Sequence, residues 1–196
     1  MQRKNFLSQT ISGGAGTKMT IKRELRLFGN VRVMVCAALF IALSIVLGKY
    51  LSFTIGAFRI SLENLTVLMA GIFFGPVCGV TVGLAADIIG SILVGYSINP
   101  IIALGAASIG LVSGLVFHYS GVKNLTLRTL LSVGFAHVIG SMVIKSIGLY
   151  VYYSYAIPLL ALRIPLYLAI GFVEFYIIVL LRKNRAFSHE LERMMK

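Results

Sequence analysis

From Ile88 to Val122 the chain runs for 35 residues without one Asp, Glu, Lys or Arg, and no other feature narrows its possible folds so far. A membrane-spanning helix takes about 20 apolar residues to cross a hydrocarbon core of roughly 30 Å, so this run is too long for one helix. Gly95-Tyr96-Ser97-Ile98-Asn99-Pro100 interrupts it, and Asn-Pro is a turn signal that places Pro at the start of a new helix. The run therefore contains the end of one span and the whole of the next. The rest of the chain agrees: 58% of its 196 residues are apolar and 12% charged, and its mean hydropathy is +0.93. Such a composition cannot cover itself with a polar surface in water.

Six spans are expected, running from about Val33 to Leu51, Leu62 to the Gly75-Pro76 break, Pro76 to Val94, Pro100 to Tyr119, Leu127 to Tyr153 and Pro158 to Leu181. The fold class is an all-α polytopic membrane protein with six transmembrane helices and no separate soluble domain. Residues 1–30 read as a flexible basic segment that includes Ser12-Gly13-Gly14-Ala15-Gly16, residues 31–183 as the membrane domain and residues 184–196 as a tail. Gly16-Thr17-Lys18 lacks the order and the preceding strand of a phosphate loop, so the chain carries no recognisable ATPase.

The formal net charge of +12 is unevenly spread: seven of the eighteen Lys and Arg lie in residues 1–32 and five in 182–196. Basic ends flanking apolar spans follow the positive-inside rule and suit anionic lipid rather than nucleic acid. With both termini cytoplasmic, Lys123 and Arg128 also fall inside, leaving Lys49, Arg59, Lys145 and Arg163 for the outer half. Cys36 and Cys78 sit in apolar stretches where a thiol acts as a small hydrophobe. His118 and His137 lack metal-site spacing, so neither metal nor cofactor is expected. No GxSxG, HExxH or close carboxylate pair suggests an enzyme, and no inverted repeat suggests a secondary transporter.

A charge at membrane depth costs about 2.5–3.5 kcal/mol on insertion scales, so each needs a partner, a wet cavity or an interface position. Arg59, Glu63, Asn99, Lys145 and Arg163 all fall toward the outer face, with Tyr96 and the cluster Tyr150, Tyr152, Tyr153 and Tyr155, and together they describe an outward-facing cavity. The tyrosines equally suit an aromatic belt, and Arg59 with Glu63, four residues on, equally suits a local helix pair. Asp87 and Glu174 read as structural, paired within the bundle. Small residues recur every fourth position at Ala38 and Ala42, at Gly79 and Gly83, and at Ala106, Gly110 and Gly114, a spacing that lets helix backbones approach closely in lipid. The last two sets read as internal packing, the first as a surface for a partner.

These residues, in their order along the chain, resemble the S component of an energy-coupling factor (ECF) transporter, a family of prokaryotic vitamin importers. Ala38-x-x-x-Ala42 is similar to the family's coupling motif. Arg59-Ile60-Ser61-Leu62-Glu63-Asn64-Leu65 leads into Ala70-Gly71-Ile72-Phe73-Phe74-Gly75-Pro76, then Gly79, Gly83, Asp87 and Gly90, a block shared by several S-component types. Gly95-Tyr96-Ser97-Ile98-Asn99-Pro100, Arg163-Ile164-Pro165-Leu166-Tyr167 and Glu174 are similar to the folate-specific type. The likeness spans about residues 30–183. It implies a transmembrane coupling (T) protein and two cytoplasmic ATPases as partners, and an S component that topples in the membrane to carry its vitamin inward. It further implies that Ala38 and Ala42 meet the coupling protein. For folate, Tyr96 and Tyr167 would wall the pterin, Asn99 or Glu63 meet its edge, and Arg59, Lys145 or Arg163 meet the glutamate tail. Pantothenate, riboflavin or a queuosine precursor are the alternative ligands.

Overall fold

The computed structural model describes residues 29–55 and 58–194, so the expected flexible segment over residues 1–30 lies outside the described residues except for its last two. The elements in chain order are α1 (Val31–Tyr50), β1 (Phe53–Ile55), β2 (Phe58–Ile60), α2 (Glu63–Phe74), α3 (Pro76–Val94), α4 (Pro100–Tyr119), α5 (Leu125–Tyr153), α6 (Ile157–Lys183) and α7 (Arg185–Met194). α1, α3, α4, α5 and α6 are each long and apolar enough to cross a membrane. The second of the six expected spans is short. α2 has 12 residues, about 18 Å at the α-helical rise.

Local sequence explains the boundaries. Gly75 has φ 101°, a backbone conformation open to glycine, and Pro76 behind it removes the donor that would carry α2 onward. Pro76, Pro100 and Pro158 stand in the first turns of α3, α4 and α6, where no intrahelical donor is lost. Asn99 and Asn124 cap α4 and α5 with their side-chain oxygens.

The bundle is solvated inside out. Leu39, Leu168 and Phe172 are 59–65% exposed, while Asn64, Thr66, Ser113, Thr129, Ser132, Ser141 and Glu174 are buried. That distribution suits lipid, which solvates apolar side chains and leaves polar ones to find partners within the protein. α2 needs no lipid-facing side because every residue from Asn64 to Phe74 is buried. The small-residue ridges of α3 and α4 pack as expected: a Cβ built on Gly83 would stand 2.5 Å from the Ala106 carbonyl oxygen, and one on Gly79 would stand 2.5 Å from that of Gly110. Ala38 and Ala42 are exposed on α1, so their ridge is not internal packing.

Among the described residues two stretches are π-helical, Val46–Tyr50 at the end of α1 and His137–Ile144 within α5. Residues 184–196 were read as a tail, yet Arg185–Met194 is helical. Phe187 packs on Phe73 with ring centroids 5.4 Å apart, Leu191 is buried, and the Arg32 guanidinium donates to the Arg193 carbonyl at 3.0 Å. The spacing Phe187, Leu191, Met194 carried that signal.

Candidate ligand cavity

A cavity of about 340 Å³ opens where α1, α3 and α5 end and where α2, α4 and α6 begin. Its size is in the range of small-molecule sites. Six of the seven expected ligand residues line it: Glu63, Tyr96, Asn99, Lys145, Arg163 and Tyr167. Arg59 lies on β2 opposite Thr54, and its side chain is outside those described. The strand corrects one reading: because Arg59 precedes α2 on extended chain while Glu63 is the first residue of the helix, the two are not one turn apart on a helix.

Glu63 turns instead to α5. Lys145 Nζ donates to Glu63 Oε1 at 3.0 Å and to Asn64 Oδ1 at 3.3 Å, with Lys145 only 5% exposed. This buried ammonium therefore has a charge partner and a neutral acceptor, which its burial requires. A Cβ on Gly105 would stand 2.6 Å from Lys145 Cγ, so the lysine stem runs through space left by a glycine of α4.

Asn99 is buried, its Oδ1 accepting from the backbone N–H groups of Ile101 and Ile102 at 3.0 and 3.3 Å. Its Nδ2 has no partner among the described residues, so toward a ligand this side chain acts as a donor. Arg163 Nη2 donates to the Tyr167 hydroxyl at 3.2 Å and to the Ser141 carbonyl at 3.3 Å, with the guanidinium 5.1 Å from the Tyr167 ring centroid. Behind Tyr167, His137 stacks at 5.9 Å and hydrogen-bonds Ser141 Oγ through Nδ1 at 3.1 Å and Glu174 Oε2 through Nε2 at 2.5 Å. Glu174 is fully buried, so the bundle pairing expected of it is present, with His137 as the partner.

Asp87 departs from its expected structural role. It faces the cavity, and its carboxylate makes no hydrogen bond or ion pair among the described residues. Sequence reasoning gave it no ligand role because its position in the middle of a span suggested a partner inside the bundle. Lys49 also lines the cavity, its Nζ 5.7 Å from the Tyr96 ring centroid. The tyrosine cluster divides: Tyr153 and Tyr155 line the cavity, while Tyr150 and Tyr152 are 54% exposed on the outside, as an aromatic belt requires. The lining thus joins three cations and two carboxylates to a set of aromatic and aliphatic walls.

A family profile described as "ECF transporter, substrate-specific component" matches residues 32–183. The chain belongs to this family of ECF transporter S components. Several solved structures share its fold, two of them as follows. A folate-bound FolT crystal structure superposes with a TM-score of 0.61 at 18% identity, covering 75% of this chain and 91% of that one. The S component of a bacterial ECF transporter superposes with a TM-score of 0.60 at 19% identity, covering 81% and 96%. No curated protein sequence matches. This S component is therefore a cell-membrane protein and the substrate-binding part of a transporter, with the helical bundle its family uses.

Proposed function

We propose that this S component captures folate in the cavity from outside the cell and delivers it inward by toppling within a complex of a T protein and two ATPases. Both termini then lie in the cytoplasm, as the distribution of Lys and Arg favours. The observation that carries the reading is the cavity itself, which combines a carboxylate with no hydrogen-bond or ion-pair partner among the described residues, a buried amide donor, aromatic walls and basic groups. Folate carries a matching set: a flat pterin with a donor edge, an aromatic middle and two carboxylates. Asp87 accepts from the pterin's N–H edge and Asn99 Nδ2 donates to it. Tyr96 and Tyr167 enclose the ring, while Arg163 and Lys49 meet the glutamate tail. Lys145 and Glu63, committed to one another, shape the floor. The folate-bound fold neighbour supports the same ligand class.

The test is calorimetric binding of folate, pantothenate and riboflavin to the detergent-purified chain. Tight one-to-one binding of folate alone is expected, weakened roughly tenfold or more by Asp87→Asn or Arg163→Ala, since truncating one partner of a buried charged hydrogen bond costs about 2–5 kcal/mol. Binding of another vitamin instead, or folate affinity indifferent to both substitutions, overturns the assignment.

A further inference from the structure

At the end of the bundle opposite the cavity, a second basic site remains after the transport reading is complete. α5 places Arg128 in its first turn, and α6 places Arg182 in its last. These lie roughly 25 and 28 Å along their helices from Lys145 and Arg163 respectively. Both guanidiniums pack on one ring, that of the buried Phe117 of α4, with Cζ to centroid distances of 4.7 Å for Arg128 and 5.3 Å for Arg182. Arg182 Nη1 donates to the Leu125 carbonyl at 3.4 Å and to Thr129 Oγ1 at 2.5 Å. Arg128 is 7% exposed, its Nε is buried without a partner, and its guanidinium donates no hydrogen bond to a described residue.

A guanidinium always carries its charge and holds five N–H donors in a planar fork. Burying one beside a second cation, with an aromatic face as its contact and no acceptor among the described residues, is costly unless an anion completes the site. The site lies at the ends of three helices that are each long and apolar enough to cross a membrane, and basic pockets between such helices are where lipid head groups bind. The planar fork matches a phosphate oxyanion in two-pronged geometry. We infer that Arg128 and Arg182, both packed on the Phe117 ring, form a binding site for a phosphate group, supplied by an anionic phospholipid or by free phosphate.

The purified wild-type chain, titrated with phosphatidylglycerol, phosphatidylcholine or inorganic phosphate at constant ionic strength, tests this through its thermal midpoint and the lipid retained in native mass spectrometry. Phosphatidylglycerol is expected to raise the midpoint and to be retained roughly tenfold better than phosphatidylcholine. Arg128→Gln should remove the difference while folate affinity is unchanged. A matching shift from inorganic phosphate alone identifies free phosphate as the source. Should Arg128→Gln not fold, Arg128→Lys keeps the charge, loses the fork and should weaken retention. Equal retention of the two lipids by the wild type with no response to phosphate, or an unchanged preference in the Arg128 variant, overturns the site.

Discussion

Removing either partner of the Lys145–Glu63 pair has unequal consequences, because the two side chains are not equally buried. The lysine side chain is 7% exposed and the glutamate side chain 26%. Glu63→Gln leaves a buried ammonium with neutral amide oxygens, the introduced one and that of Asn64, in place of a charged partner, while Lys145→Met leaves a carboxylate that still reaches the wet cavity. Breaking a buried pair from one side costs about 3–5 kcal/mol, so Glu63→Gln should destabilise by about 3 kcal/mol and Lys145→Met by less. Thermal unfolding of the two variants in detergent gives the comparison; a larger loss for Lys145→Met would show that the glutamate is the more dependent member. Residue identities were legible in the sequence to this extent: Lys145 and Glu63 were singled out by charge at membrane depth, but their mutual pairing joins α5 to α2 across 82 positions and has no periodic signature.

At the level of elements, α3 and α4 owe their close approach to the glycines on their facing sides. Gly83→Val would drive a branched side chain into the Ala106 carbonyl, 2.5 Å from the position of the first added carbon. Backbone cannot yield as a flexible side chain can, so the loss should be about 2 kcal/mol or more. Gly134 of α5 is the control, since a Cβ there meets nothing within 4 Å, and Gly134→Ala should gain about 0.5–1 kcal/mol from helix propensity. Parallel melting curves decide it: equal effects at the two positions would deny the ridge its packing role. The spacing of these glycines was plain in the sequence because a period of four on a helix makes one stripe. The π-helical stretch His137–Ile144 was not, since nothing in its composition separates it from an ordinary apolar helix.

For the whole molecule, the exposed Ala38 and Ala42 on α1 lie apart from the residues that line the cavity. On the proposed function, capture and coupling are then separable. Ala38→Trp should abolish uptake in cells supplying the T protein and ATPases while leaving folate affinity of the isolated subunit unchanged. Equal loss of binding and uptake would mean that α1 supports the cavity rather than a partner.

By itself the sequence determined the helical membrane class, the positions of the breaks and the set of polar residues at one end of the bundle. Those follow from local physics: apolar length, proline and glycine stereochemistry, and the cost of charge in lipid. Tertiary structure decided which of those charges neutralise one another and which face the cavity. Lys145 is tied to Glu63, Glu174 is tied to His137, and Asp87 is left facing the cavity. It also buried α2 from Asn64 to Phe74 and docked the C-terminal helix Arg185–Met194 onto the bundle through Phe187 and Leu191. Each depends on contacts between distant segments, and pairing across such separations is set by how whole helices rotate and pack, which no local pattern encodes.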